Sequence, residues 1–186
     1  IPTPENIPLC IDPIDHPRFT YAVTKMLGES GFLNYSKIFG FSCKIIRYNN
    51  VIGPKMGFKH VIPHLVERFL DKESPFKIYG ADQTRSFCDI YDGALGTIQA
   101  MECDDAKQEI FHIGNDVEIT IEELVKETGK YFNYTGEYEI APTYPGSVSR
   151  RCPDLTKARK MFNFNPSIDW KDALHKSLEW YVNFYS

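Results

Sequence analysis

The apolar positions of this 186-residue chain change period several times, and each change marks a helix or a strand. From Thr20 to Gly40, Tyr21, Met26, Leu27, Phe32, Leu33 and Ile38 recur at mixed three- and four-residue spacing. That spacing predicts a helix, which Gly40 ends. Ser42 to Tyr48 is a short β-type run, and Asn49, Asn50 and Gly53-Pro54 behind it predict a loop. His60 to Leu70 predicts a helix that tolerates Pro63 in its first turn. Phe76 to Tyr79 and Ser86 to Ile90 are expected as short strands across the polar turn Gly80-Ala81-Asp82-Gln83. Asp92 is expected to cap a helix reaching Met101, and Glu109 to Ile113 to form a strand ended by Gly114-Asn115-Asp116. Thr120 with Glu123 makes a capping box for a helix through Phe132. Tyr138 to Ala141 reads as a strand. Asp154 and Asp169 read as caps for two last helices, from Leu155 to Phe162 and onward to Phe184.

Strands alternating with helices from end to end predict an α/β fold. No segment combines a strand, GxGxxG and a helix, so the chain brings no dinucleotide phosphate loop of its own. The opening Ile-Pro-Thr-Pro-Glu-Asn-Ile-Pro reads as an irregular surface loop and points to sequence upstream of Ile1.

Composition narrows the function. A net charge of −4 with no basic block argues against nucleic acid as a partner. No apolar run approaches the roughly 20 residues of a membrane helix, so no membrane partner is expected, nor does any segment resemble a signal peptide. Five cysteines without a CxxC pair point to reduced thiols in a cytoplasm, with no disulfide framework and no metal site.

The candidate chemistry begins with Tyr21-Ala22-Val23-Thr24-Lys25, which puts a phenol and an ammonium at i and i+4 on one helix face. A phenol is a poor base at neutral pH, and a fixed cation beside it favours the phenolate and makes it a usable acid/base. Alone, that spacing is common in ordinary helices. Here it is followed in order by Arg47-Tyr48-Asn49-Asn50-Val51-Ile52-Gly53-Pro54, His60-Val61-Ile62-Pro63, Ile78-Tyr79-Gly80, Gln83-Thr84-Arg85-Ser86-Phe87, Asp92-Gly93-Ala94, Phe111-His112-Ile113-Gly114-Asn115 and Arg151-Cys152-Pro153-Asp154. The ordered set resembles the extended short-chain dehydrogenases that act on nucleotide sugars: epimerases, 4,6-dehydratases and decarboxylases.

The resemblance implies the C-terminal part of a Rossmann-type parallel sheet plus a small α/β substrate-binding domain. Residues 1–54 would be the remnant of the NAD-binding domain, and 55–186 mainly the substrate domain, with some elements returning to the sheet. It implies that Tyr21 is the acid/base at the sugar 4-hydroxyl, that Lys25 supports it and grips the nicotinamide ribose, and that Tyr48 lies by the nicotinamide. Asn50, the backbone of His60 and Val61, Arg85 and Arg151 would hold the diphosphate or sugar, and Tyr79 would flank the base. Arg150 is an alternative to Arg151. His112 stands where many members carry Asn, so a contact to diphosphate is not carried over, and it reads as a satisfied strand histidine. The cofactor would be NAD, with NADP the alternative, and the partner a nucleotide-diphosphate sugar. Homodimerisation would run through the Tyr21 helix.

The activity so implied is an epimerase or 4,6-dehydratase working by transient oxidation at sugar C4. A decarboxylase of the same family is the alternative, on the Arg151-to-Asp154 match. A catalytically silent sugar-nucleotide-binding or interaction fragment is the reading from a different class.

Overall fold

The computed structural model describes residues 1–11, 14–143 and 146–185. The elements are α1 (Arg18–Phe39), β1 (Lys44–Tyr48), β2 (Val51–Ile52), α2 (Val61–Leu70), β3 (Phe76–Tyr79), β4 (Thr84–Ser86), β5 (Cys88–Asp89) and α3 (Ile90–Glu102). They continue as β6 (Glu109–Ile113), β7 (Glu118–Thr120), α4 (Ile121–Tyr131), β8 (Tyr138–Ala141), β9 (Arg150–Arg151), α5 (Thr156–Phe162) and α6 (Trp170–Tyr185). Among the described residues no helix is long and apolar enough to cross a membrane.

Parallel pairing dominates, as an α/β chain requires. β1 lies parallel to β6 with Tyr48 opposite Ile113, β2 to β5, and β3 to β8. β4 is flanked by β7, antiparallel, and by β9, parallel. Phe111, Ile113, Ala100, Leu155, Ala158 and Phe164 form the core beneath β1 and β6. A second core joins α2, α4 and α6 through Val66, Phe69, Leu124, Leu174, Leu178 and Tyr181. The Tyr181 hydroxyl donates to the Met56 carbonyl and so ties α6 to the loop after β2.

The helix ends follow local chemistry. Gly40 adopts a left-handed φ of 74° and its N–H returns to the Ser36 carbonyl, a C-terminal stop that glycine makes without a Cβ penalty. Thr120 and Glu123 form the reciprocal capping box. The Asp154 and Asp169 carboxylates accept from the Thr156 and Lys171 N–H groups at the starts of α5 and α6.

Two expectations need correction. The cap of α3 is Asp89, whose Oδ1 accepts from the Tyr91 N–H at 2.7 Å; Asp92 already lies inside the helix. Asp92 is buried and its carboxylate instead holds the loop before α6 through Ser167 and Ile168. The strand expected from Ser86 to Ile90 is broken, because β4 ends at Ser86, β5 is two residues long, and Ile90 begins the helix. β2, within the expected loop, and β7 and β9 are two or three residues long, too short for periodicity to reveal.

Helix α1 is unusual. Its inward stripe is Ala22, Met26, Glu29, Leu33 and Ser36, while Leu27, Phe32, Tyr35, Ile38 and Phe39 are exposed. A helix apolar on several faces belongs in the interior of something larger.

Candidate functional site

The carboxyl ends of β1 and β2, the first turns of α2 and α3, and the start of α1 surround a cleft of about 680 Å³. In open α/β sheets ligands bind outside the carboxyl ends of strands. Of the residues singled out in the sequence, Tyr21, Tyr48, Asn50, His60, Val61 and Arg151 line it. Val51, Ile52, Met56, Phe87, Ile90, Gly93 and Ala94 complete the wall. The lining contains no carboxylate, and Arg151 is its permanent charge. Such a surface favours an anion with an apolar body beside it.

Each lining side chain has a local reason for its place. Tyr21 is 70% exposed on the first turns of α1, with the Lys25 Nζ 5.2 Å from its ring centroid. The Tyr48 hydroxyl and the Thr97 hydroxyl share a 2.6 Å hydrogen bond that fixes the ring against α3. Asn50 takes a positive φ of 43°, a conformation Asn tolerates better than most residues. Its Nδ2 donates to the Ser86 carbonyl, and its own carbonyl accepts from Cys88 N, so it locks the crossing from β1 to β5. His60 is the N-cap of α2 and supplies no side-chain cap, which leaves the first-turn N–H groups of Val61 and Ile62 without a capping side chain. Gly53 allows α3 to approach: a Cβ there would lie 2.5 Å from the Ile90 Cγ2.

The adjacent arginines part company. Arg150 makes a two-pronged pair with Glu118, at 2.8 and 2.6 Å, whereas Arg151 lines the cleft. Successive residues of a strand face opposite sides, so both could not do either job. Arg150, helped by the Thr84 hydroxyl, holds the Glu118 carboxyl down to about 2.

Lys25, Tyr79 and Arg85 stand outside the lining. Arg85 is half-buried, its guanidinium donating to the Thr84 carbonyl and the Gln83 Oε1. In the parallel register Arg85 is the direct partner of Arg151, so the two side chains share one face of the sheet. The Tyr79 ring packs 5.6 Å from the Arg68 guanidinium. His112 is 6% exposed and its Nδ1 has no hydrogen-bond partner, so it is a buried strand histidine but not a satisfied one. Burial pushes its imidazole below the ordinary value against the pull of Glu5.

Sequence reasoning missed Phe87, Ile90, Gly93 and Ala94. Gly93, inside an otherwise helical run, was the available signal.

Comparison with known proteins fits this geometry. The model of the NAD dependent epimerase/dehydratase family matches residues 2–114. The chain belongs to that family. Among its relatives, UDP-N-acetyl-alpha-D-glucosaminuronate decarboxylase of Bacillus cytotoxicus is 29% identical over 174 residues, covering 88% of this chain and 53% of the relative. The crystal structure of UDP-glucose 4-epimerase with UDP-glucose from Thermotoga maritima superposes with a TM-score of 0.85 at 26% identity, over 100% of this chain and 58% of that one. UDP-glucuronic acid 4-epimerase from Bacillus cereus in complex with NAD shares the fold, with a TM-score of 0.83 at 24% identity over 99% and 57%. The chain thus spans little more than half the length of the relatives it matches.

Proposed function

We propose that the intact protein is an NAD-dependent nucleotide-sugar epimerase or 4,6-dehydratase acting by transient oxidation at sugar C4. The observation that carries this reading is the cleft itself. Its lining holds the Tyr21 phenol, with the Lys25 ammonium 5.2 Å from the ring, and Arg151, whose register partner on the next strand is Arg85. A guanidinium pair suits a diphosphate, the group common to all sugar nucleotides.

In this reading Tyr21 takes the proton of the sugar 4-hydroxyl. Lys25 supports Tyr21 and, with Tyr48, meets the nicotinamide ribose end of the cofactor. The two tyrosines line one cleft and the Lys25 ammonium lies 5.2 Å from the Tyr21 ring, which supports that placement of NAD or NADP. The chemistry the cofactor would supply when bound is acceptance of a hydride from C4 and its return, to C4 in an epimerase or to C6 in a 4,6-dehydratase. Asn50 and the first-turn N–H groups around Val61 hold the diphosphate where the helix dipole favours an anion. His60 lies beside them, and Tyr79 flanks the base. Residues 1–54 belong with the cofactor domain and 55–186 mainly with the substrate domain.

A second reading, a decarboxylase acting on a sugar-nucleotide uronate, is favoured by the similarity to the Bacillus cytotoxicus decarboxylase. A homodimer through α1 accords with its exposed Leu27, Phe32, Tyr35 and Ile38. A reducing, cytoplasmic setting accords with five free cysteines.

The test is turnover of UDP-, TDP-, GDP- and CDP-sugars by the intact protein, with product stereochemistry read by NMR. Tyr21→Phe should abolish turnover while cofactor stays bound. Near-normal turnover in that variant would remove Tyr21 from the chemistry, and no turnover of any sugar nucleotide by the wild type would defeat the reading.

A further inference from the structure

Resting on the enzyme reading above, we propose that Arg47 is a positioning residue, which sets the place of Tyr21 by gripping Glu29 on the same helix. The geometry is a buckle. From β1, the Arg47 Nε and Nη2 donate to the two carboxylate oxygens of Glu29 at 2.7 and 2.6 Å. The pair is well sheltered, with side chains 18% and 16% exposed. The third nitrogen, Nη1, donates to the Glu5 carbonyl at 3.1 Å. The Glu5 carboxylate in turn accepts from the backbone N–H of His112 on β6 at 3.0 Å. Two residues earlier, Thr3 bridges Pro153, two residues beyond Arg151, with backbone bonds to Cys152 and Asp154 at 2.9 and 2.8 Å. One guanidinium therefore joins the Tyr21 helix to β1 and to the opening segment, and that segment reaches the strand that bears Arg151.

Tyr21, Lys25 and Glu29 follow one another at i, i+4 and i+8. Each turns by about 40° from the last, so the three climb one strip of the helix. Glu29 faces inward to β1, and Tyr21 leaves the same strip at the edge of the cleft. The two are separated along the axis by about 12 Å. Tilting the helix by about 5° at Glu29 moves Tyr21 by about 1 Å, and a misplacement of about 1 Å can cost on the order of a hundredfold in rate. Much of the rest of α1 is exposed, so little else among the described residues resists such a tilt. Arg47 is also the residue just before Tyr48, so the same bond fixes the helix against the strand end that carries Tyr48 and Asn50. Lysine cannot replace it, because a point ammonium has no planar fork to hold both carboxylate oxygens.

The experiment uses the full-length protein with Arg47→Lys, Glu29→Gln and the exchange Glu29→Arg/Arg47→Glu. With the sugar nucleotide turned over best, the single variants should lower kcat by about tenfold or more while KM stays within about threefold, because only alignment is lost. The exchanged pair should recover part of that kcat, the coupling a double-mutant cycle detects. Amide hydrogen exchange, which needs no turnover, should rise by about tenfold across residues 18–39 in the single variants, with α4 and α6 unchanged. Unchanged exchange in 18–39, or a kcat that falls only in step with the folded fraction, overturns the inference. A wild type inactive on every sugar nucleotide defeats the enzyme reading instead. In that case unchanged exchange also removes the buckle, and raised exchange keeps the clamp but strips it of a catalytic role.

Discussion

Asp92→Ala should destabilise the intact protein far more than Asp89→Ala, although both carboxylates sit at the start of the same helix. Asp89 makes one capping bond, to the Tyr91 N–H, and has Lys176 nearby at 3.6 Å. Losing such a cap costs about 1 kcal/mol. Asp92 is 1% exposed and accepts three bonds: from the N–H groups of Ser167 and Ile168, each at 2.9 Å, and from the Ser167 hydroxyl at 3.1 Å. Hydrogen bonds to a charged group are worth about 1.5–3 kcal/mol each, so the gross loss is about 4–9 kcal/mol. Removing a buried carboxylate also cancels its desolvation cost of several kcal/mol, which leaves a net loss of about 3 kcal/mol. Asp92→Asn should recover part of the loss, because the amide oxygen can accept from both N–H groups while its NH2 donates to the Ser167 hydroxyl, which can accept. Urea unfolding followed by tryptophan fluorescence reads the difference, since Trp170 lies three residues beyond Ser167 and is largely buried. The same change frees the first turn of α3, which carries Ile90, Gly93 and Ala94 into the cleft, so KM for a sugar nucleotide should rise as well. A loss from Asp92→Ala no larger than that from Asp89→Ala would refute the reasoning.

The other expectations divide the site from the scaffold. Arg151→Ala should raise KM for a sugar nucleotide by roughly tenfold to a hundredfold, the loss of one or two charge-assisted bonds; equal KM values in steady-state assays would make Arg151 a surface charge. Arg150→Ala should leave KM alone and lower the urea midpoint only slightly, because the pair is so exposed. Because Glu118 is held down to about 2 from its ordinary 4.5, that stabilisation is full above pH 4.5 and fades as pH falls toward 2. The difference between wild type and Arg150→Ala should therefore shrink between pH 7 and pH 3. Gly53→Ala would set a Cβ 2.5 Å from Ile90, costing about 1–3 kcal/mol of stability; thermal melting of Gly53→Ala/Ile90→Ala should show part of it returned. Burial pushes the Cys88 thiol up to about 12 and Cys152 up to about 11, whereas Cys10 is exposed. Iodoacetamide at pH 8, read by peptide mass, should label Cys10 first and reach Cys88 only on unfolding.

Much of this was legible in the sequence where one signal decides one residue. Gly40, the Thr120–Glu123 box and Asp169 each act within four residues of themselves and each works as written, whereas the cap position of α5 falls on Leu155, with Asp154 one residue before it and accepting from the Thr156 N–H. Asp92 was misjudged because a carboxylate near a helix start looks the same whether it caps that helix or reaches residues 75 positions away. The short strands β2, β7 and β9 depend on distant partners and leave no period to detect. Six of the nine candidate site residues meet at one cleft. Arg85 could not be placed by sequence, since its position beside Arg151 comes from a parallel register between segments some 65 residues apart.

Helix α1 shows why the mixed spacing of its apolar residues carried more than a helix prediction. A helix with one buried face spaces its apolar positions in a single stripe. Here the inward stripe runs through Ala22, Met26, Glu29, Leu33 and Ser36, two of them polar, and the large apolar side chains lie on the other faces. The strongest apolar residues therefore mark surfaces that this chain does not itself cover, which suits a segment with little more than half the length of its relatives. What holds the helix to the described fold is correspondingly polar: the Glu29 carboxylate in the Arg47 fork and the Ser36 hydroxyl on the Phe41 carbonyl. A polar anchor with defined geometry fixes angle and register more tightly than an apolar stripe of the same length, because an apolar contact is non-directional. In the proposed function, where the first turns of this helix carry the acid/base Tyr21, that is the property that matters. Glu29, which an apolar pattern leaves out, is the residue through which sequence sets the position of Tyr21.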